Sequence, residues 1–261
     1  MKKQKIRYSK LDIIRGLCLI SMIAYHTVWD LVYIYECNWA WYRSISAFLW
    51  QQSICWTFIL LAGFCLPFGT HPIRRGAIVF GGGALITAVT LIFMPGQRIV
   101  FGVLTLLGSS MMLVGIFDRV LQKMMGKFSA IFGMIGCFLL FAFTYSVNDG
   151  FSGFFGVKLL ELSNTLYKNY FTTFLGFPYK GFFSTDYFSL VPWFFLFLTG
   201  YFSHFAVMNV AVDKEGQNRI SRWLQRGNCK PLEWMGKHSL LIYVIHQPVI
   251  YGILWVLFQI L

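Results

Sequence analysis

Seven long apolar stretches dominate this chain of 261 residues. Each is close to the roughly 20 residues that an α-helix needs to cross the hydrocarbon core of a bilayer. Because lipid-exposed backbone must satisfy its own hydrogen bonds, we predict an all-α polytopic membrane bundle with little β structure. Only 12% of the residues are charged, which agrees with this class. The predicted spans are residues 11–34, 45–66, 77–94, 99–117, 128–147, 188–210 and 239–260.

The net charge of +12 is distributed in a way that predicts the topology. With the N-terminus in the cytoplasm, sixteen of the 22 Lys and Arg residues fall on the cytoplasmic side, and Arg15 falls inside the first span. The outer side receives Arg43, Arg98, Lys158, Lys168 and Lys180. This asymmetry matches the positive-inside rule, so the charge indicates orientation rather than nucleic-acid binding. We therefore expect the C-terminus to lie outside.

The aromatic segment 151–187 is predicted to lie outside the membrane. It carries Lys158, Glu161 and Lys168, and counting it as a span would move a loop with six basic residues to the outer side. We expect an amphipathic helix on the outer surface, or a cap over a cavity, within a single membrane domain that covers residues 1–261. The six cysteines lack ligand spacing, so we expect no metal site and no disulfide framework. The first span lacks a cleavage site and should be retained.

Ionisable residues form a stripe along the first span. The eleven steps from Arg15 to His26 return to within about 20° of the same helix face and cover roughly 16 Å of its axis. Asp12 and Asp30 belong to this stripe. Such residues in a membrane helix face protein, water or each other, which indicates a functional interior. The structural alternative is an ion pair between Asp12 and Arg15 and a hydrogen bond between His26 and Asp30.

His246 is the second ionisable candidate, about 13 Å along the last span from Lys237. It would be a polar partner inside the bundle. Alternatively, it satisfies a backbone carbonyl that Pro248 leaves without its helical donor.

Two further groups are candidates for substrate binding. A polar and aromatic rim at the outer end of the sixth span would receive an acceptor, although hydroxyl side chains also cap helix starts. Paired arginines at the inner end of the third span would attract a phosphate-bearing donor, although the positive-inside rule explains them equally well. The outer group is Ser184, Thr185, Asp186 and Trp193, and the inner group is Arg74 and Arg75.

Four blocks of the sequence resemble a known family. They are YSKLDIIRGLCLISMIAYHTVWDL, PGQRIVFGVLTLLGSSMML, GFPYKGFFSTDYFSLVPWFFLFLTGYF and GKHSLLIYVIHQPVIYG. Together they are similar to bacterial members of the heparan-α-glucosaminide N-acetyltransferase-like catalytic domain family, and the likeness covers nearly the whole chain. The spacing of Arg15 and His26 also resembles that in the acyltransferase-3 family of membrane O-acyltransferases.

The resemblance implies a multi-pass acyltransferase of the bacterial cytoplasmic membrane. It would move an acetyl or other acyl group from cytoplasmic acyl-CoA to a hydroxyl or amine of an extracytoplasmic carbohydrate or envelope glycan. Arg15 would help to bind the CoA, His26 would be the general base with Asp30 as its orienter, and His246 would be a second polar partner. The implied partners are the bilayer, acyl-CoA and the carbohydrate; a homo-oligomer is compatible with this reading.

One departure from the family concerns the mechanism. The lysosomal enzyme that names the family uses a luminal histidine between its first two spans, and residues 35–44 contain none. We therefore favour direct transfer with His26 as the base. The main alternative function is a proton-coupled transporter or flippase, because intramembrane Arg, His and Asp also build proton relays. Seven dissimilar spans do not show the inverted repeats that many transporters have.

The charge distribution predicts that a reporter fused after Leu261 is active only on the outer side of the membrane. Paired fusions of alkaline phosphatase and a cytoplasm-active fluorescent protein at this position measure it. A cytoplasmic C-terminus together with a cytoplasmic N-terminus would contradict the odd number of spans and the outer placement of residues 151–187.

Overall fold

The structure, a computed structural model, describes residues 7–124, 126–154, 157–210 and 219–260. Four of the sixteen basic residues counted on the cytoplasmic side, Lys2, Lys3, Lys5 and Lys214, lie outside this range, and so does Leu261, the site of the reporter fusion. The described helices are α1 (Ser9–Tyr33), α2 (Ile45–Cys65), α3 (Pro72–Phe93), α4 (Val103–Met124), α5 (Lys127–Thr144), α6 (Tyr170–Leu175), α7 (Leu190–Val210), α8 (Arg219–Gln225), α9 (Lys230–Lys237) and α10 (Ser239–Ile260). One hairpin joins β1 (Phe151–Phe154) to β2 (Val157–Glu161).

The predicted all-α membrane fold with seven spans is confirmed. Seven of the described helices are long and apolar enough to cross a bilayer. The third begins at Pro72, five residues earlier than expected, because proline is well tolerated in the first turn of a helix. The fourth begins at Val103, whose backbone N–H donates to the Asp186 carboxylate at 3.4 Å.

The chain divides into two compact units, Met1–Phe58 with Ala211–Leu261, and Ile59–Val210. The prediction of a single membrane domain is not tested by this division and stays a prediction. In the first unit, α1 packs against α9 and α10. Glycines allow this close approach, since an added methyl group at Gly16 would collide with the Leu232 carbonyl, and one at Gly236 with the Asp12 carbonyl.

The second unit is built from two helix pairs, α3 with α4 and α5 with α7. The end of α2 also packs against α7 through two glycines. A methyl group at Gly63 would meet the Phe197 carbonyl, and one at Gly200 would meet the Leu60 carbonyl. Small residues at such crossings bring membrane helices into backbone contact.

Segment 151–187 does not form one amphipathic helix. It begins with the β1–β2 hairpin, and the helical parts of its described residues are the 3-10 turn Asn164–Leu166 and α6, six residues long. Gly150 and Gly176 adopt φ values of 93° and 133°, a backbone conformation that interrupts a right-handed helix and that glycine adopts readily. Its placement on the outer side stays a prediction.

We expect Gly200→Ala to destabilise the protein by about 1–3 kcal/mol, because the new methyl group has no space beside the Leu60 carbonyl. Thermal unfolding of the purified protein, followed by intrinsic fluorescence, measures the change. The matched control is Gly136→Ala in α5, where an added methyl group meets nothing within 4 Å. Equal unfolding temperatures for the two variants would show that the α2–α7 contact is looser than described.

Candidate functional site

A polar cluster lies between α1 and α10 inside the first unit. The imidazole centroids of His26 and His246 are 5.0 Å apart. One helical turn further along α1, Asp30 Oδ1 accepts a hydrogen bond of 2.8 Å from Gln247 Nε2. Asp30 and His246 are buried. His26 and Asp30, one turn apart on α1, thus meet the adjacent residues His246 and Gln247 of α10. The four polar side chains lie within helices long and apolar enough to cross the membrane.

Three atoms of this cluster are buried and lack a hydrogen-bond partner among the described residues. They are Asp30 Oδ2, His246 Nε2 and Gln247 Oε1. A buried polar atom without a partner costs roughly 1–3 kcal/mol, so native proteins seldom keep several of them in one place. Their concentration here makes this cluster the candidate functional site of the first unit.

The hydrogen bonding of His246 identifies the nitrogen that can accept a proton. Its Nδ1 lies 2.6 Å from the Tyr243 carbonyl oxygen, which can only accept a hydrogen bond. Nδ1 therefore carries the hydrogen, and in the neutral ring Nε2 carries the lone pair. The carbonyl that Pro248 leaves without a donor is that of Val244, four residues earlier, whereas His246 contacts the carbonyl of Tyr243, so the structure does not show the structural alternative for His246.

His26 makes no imidazole hydrogen bond within the described part of the chain. Its ring contacts are with His246 and with Tyr25, whose centroid is 5.8 Å away. Asp30 is committed to Gln247 rather than to His26. The structural alternative of a bond between His26 and Asp30 is therefore not what the structure shows, and neither is direct orientation of His26 by Asp30.

Arg15 lies near the other end of α1, where that helix meets α9. Its Nη1 is 3.3 Å from Asp12 Oδ1 and 3.4 Å from the Gly236 carbonyl oxygen. Asp12 also accepts a hydrogen bond of 2.9 Å from Arg7 Nε. The alternative of an Asp12–Arg15 ion pair is thus correct. Arg15 Nε and Nη2 make no hydrogen bond among the described residues, so they stay available as donors.

The ionisable stripe of α1 consequently faces α9 and α10. Arg15 contacts the start of this pair, and His26 and Asp30 contact the middle of α10. The structure brings the predicted residues His26, Asp30 and His246 together. The sequence did not identify Gln247 as the partner of Asp30, because an uncharged amide in a helix carries no sequence signal for the helix that it meets.

The proposed acceptor rim belongs to the second unit and is largely occupied by backbone contacts. Ser184 Oγ accepts from the Val100 N–H at 2.9 Å, and the Thr185 hydroxyl lies 3.2 Å from the Gln97 carbonyl. Trp193 is 8% exposed and packs against aromatic rings such as Phe141. Together with the Asp186–Val103 bond, these contacts fix residues 184–186 to the segment before α4.

Arg74 and Arg75 lie in the first turn of α3, also in the second unit. Arg74 is exposed, whereas Arg75 is half-buried and packs against Gly69, where an added methyl group would collide with Arg75 Nη1. In the described part of the chain, no group of three or more His, Cys, Asp or Glu side chains is placed to hold a metal ion.

Comparison with known families gives one match that covers most of the chain. The family model described as "Heparan-alpha-glucosaminide N-acetyltransferase, catalytic" matches residues 7–248. This range includes His26, Asp30, His246 and Gln247. Neither the curated proteins nor the solved structures contain a match.

We expect Gln247→Leu to lower the free energy of unfolding by about 1–3 kcal/mol, because it removes the donor that Asp30 uses inside the membrane. Combining it with Asp30→Leu should recover most of this loss, since removing both partners leaves no unpaired carboxylate. Denaturant unfolding of the two single variants and the double variant measures the coupling. Additive effects would show that the two side chains do not interact.

Proposed function

Because the chain belongs to the heparan-α-glucosaminide N-acetyltransferase catalytic family, a family of transmembrane acetyltransferases, we propose that it transfers an acetyl or other acyl group across the membrane. The donor is cytoplasmic acyl-CoA, and the acceptor is a hydroxyl or amine of a carbohydrate or envelope glycan outside. The observation that carries this proposal is the pair of imidazoles, 5.0 Å apart, inside a membrane-spanning helix pair.

In the proposed reaction, His26 removes the proton from the acceptor O–H or N–H as the acceptor attacks the thioester carbonyl carbon. The new C–O or C–N bond forms, the C–S bond breaks, and the CoA thiolate takes up the proton held by the imidazole. His26 suits this role because its ring nitrogens are not committed to other hydrogen bonds within the described residues. Direct transfer requires no covalent acyl-enzyme.

His246 is the second member of the pair. Because the Tyr243 carbonyl holds the hydrogen on Nδ1, Nε2 can accept a proton or a hydrogen bond. Asp30 acts through Gln247, which follows His246 directly, and so positions α10 rather than the His26 ring. We therefore propose His26 as the base, His246 as its proton-accepting neighbour and Asp30 as a positioning residue.

Arg15 is proposed to bind the donor. Nη1 alone is engaged with Asp12 and Gly236, which leaves Nε and Nη2 as a planar pair of donors suited to a phosphate oxygen. Arg74 and Arg75 are proposed to add positive charge that attracts the same anionic donor. Ser184, Thr185, Asp186 and Trp193 stay proposed acceptor-side residues, although their contacts suit them better to shaping the outer loop.

We expect His26→Ala to lower acyl transfer by about 100-fold or more while acyl-CoA binding stays intact, because a general base contributes on that scale. We expect Arg15→Ala to weaken donor binding first, since Arg15 lies roughly 16 Å along α1 from His26 and cannot contact the same atom. Single-turnover transfer with radiolabelled acetyl-CoA and separate donor-affinity measurements distinguish the two effects.

The matched control is His238→Ala, because His238 is exposed between α9 and α10 and lies outside the cluster. This variant should keep full activity. Full transfer by His26→Ala, or equal loss of donor binding in both variants, would overturn the division of roles. Absence of label transfer to any envelope glycan, combined with uptake of a substrate into proteoliposomes, would favour the transporter alternative instead.

A further inference from the structure

One sequence pattern occurs twice just before the last span. Residues 219–226 read RISRWLQR, and residues 230–237 read KPLEWMGK. Each copy has a basic residue, a tryptophan four positions later and a second basic residue three positions after that, and an apolar residue follows each tryptophan. The first copy forms α8 and the residue after it, and the second copy is α9. Neither helix is among the seven that are long and apolar enough to span a bilayer.

The helical spacing places the two basic residues and the tryptophan of each copy on one face. All six side chains are exposed, and each tryptophan is 56% exposed. An exposed tryptophan flanked by cations on both copies is a shared surface feature rather than an isolated apolar residue. We name this set the basic–Trp surface, and its members are Arg219, Trp223, Arg226, Lys230, Trp234 and Lys237.

Packing on the other side of both short helices turns this surface away from the protein. The residue after each tryptophan contacts the interior of the first unit. Leu224 is 5% exposed, and Met235 packs on the apolar cluster that includes Leu19 of α1. The close backbone contact between α1 and α9 at Gly16 and Gly236 holds the second copy in the same way.

The start of α1 also fixes the first copy. Lys10 Nζ lies 3.4 Å from the centroid of the Trp223 ring, which is a cation–π contact. Ser221 Oγ lies 3.3 Å from the Tyr8 hydroxyl and so attaches α8 to the residue before α1. The Trp223 ring is therefore held in one position, although the residue is more than half exposed.

Few acidic residues lie near this surface. Residues 7–15 and 219–239, all of them described, contain eight Lys and Arg residues but only two acids, Asp12 and Glu233. Asp12 is buried and already bound by two arginines. Glu233 is half-buried. The basic–Trp surface is therefore strongly electropositive and complementary to an anion.

Membrane topology alone does not account for the pattern. The positive-inside rule requires basic residues in a loop, but it does not require them on one helix face. Aromatic belts surround the ends of spans, whereas these tryptophans lie on short helices outside the spans. Helices with a face of this kind lie in the plane of the membrane surface, where tryptophan rings favour the headgroup layer and cations attract anionic lipids.

We propose that the basic–Trp surface binds the phosphate headgroups of anionic phospholipids in the leaflet next to the start of α1. The four basic side chains bind phosphate oxygens, and the two tryptophan rings lie between the headgroups and the acyl chains. Two separate copies, each with its own cations and ring, suit neighbouring lipids better than one soluble phosphate compound. The inference goes beyond the proposed function, because it holds whether or not the chain transfers acyl groups.

Lipid binding is measured without any turnover, by native mass spectrometry of the full chain in an uncharged detergent. The probes are phosphatidylglycerol and phosphatidylcholine with the same acyl chains. We expect phosphatidylglycerol to bind about fivefold tighter or more, because one basic residue at a membrane surface contributes on that scale. Added salt should reduce this preference, since it screens exposed charges.

A charge variant and its control test the pattern. Arg219→Gln combined with Lys230→Gln removes one cation from each copy, so it should weaken phosphatidylglycerol binding by about tenfold or more and leave phosphatidylcholine binding unchanged. The matched control is Arg119→Gln combined with Lys123→Gln, two exposed basic residues on α4 in the second unit. It removes the same charge and should keep the preference for phosphatidylglycerol.

A second pair of variants tests the rings. Trp223→Ala combined with Trp234→Ala should weaken binding of both lipids by similar factors, because the rings contact a region that both lipids share. The control Trp255→Ala removes an exposed tryptophan of α10 outside the surface and should leave binding unchanged. All substituted side chains are exposed, so unfolding temperatures without lipid should equal that of the wild type. The Arg219→Gln and Lys230→Gln single variants carry the same test if a double variant unfolds early.

Three results would overturn the inference. They are equal affinity for the two lipids, an equal loss of preference in the two charge variants, and binding by the Trp223→Ala, Trp234→Ala variant equal to that of Trp255→Ala. A loss of acyl-CoA affinity in the Arg219→Gln, Lys230→Gln variant, with phosphatidylglycerol binding unchanged, would also overturn it and assign the surface to a soluble phosphate donor. Absence of acyl transfer to any glycan would overturn the proposed function and leave the lipid surface standing.

Discussion

The attachment of α1 to α9 and α10 is the constraint on which the candidate site depends. Near one end, Arg15 joins Asp12 on its own helix to the Gly236 carbonyl of α9. Roughly 22 Å further along α1 from Arg15, Asp30 accepts the hydrogen bond from Gln247 of α10. The first contact holds α9 against α1 and the second holds α10 against α1. His26 lies one turn from Asp30 and His246 lies next to Gln247, so the second contact is the one that keeps the two imidazoles close.

The α1–α9 attachment depends on close backbone contact. Gly16 and Gly236 carry no side chain, so the backbones of α1 and α9 lie directly against each other. In a bilayer there is no hydrophobic force between helices, so such packing and a few polar bonds supply the association energy. Interhelical hydrogen bonds in membranes contribute only about 0.6–2 kcal/mol each. The Asp30–Gln247 bond therefore offsets only part of the cost of the three unpaired polar atoms beside it, which is roughly 1–3 kcal/mol each.

The sequence predicts the spans and the stripe of α1, because both depend on local periodicity and hydropathy. The sequence does not predict the choice of partners across helices. Gln247 rather than His26 binds Asp30, and Ser184 and Asp186 bind the backbone before α4 rather than facing open space. These outcomes depend on which surfaces meet in three dimensions. The local structure of segment 151–187 is hard to predict for another reason: its aromatic residues suit a strand, such as those of the β1–β2 hairpin, as well as an amphipathic helix.

The proposed roles follow one another along a single helix. Arg15 and His26 both belong to α1, so their separation is set by helix geometry rather than by loop conformation. His26 lies roughly 16 Å along the axis from Arg15. In the proposed reaction, the acceptor binds close to His26, and the donor extends its acyl-bearing arm along the helix pair from Arg15, as a thioester on a long flexible chain can do.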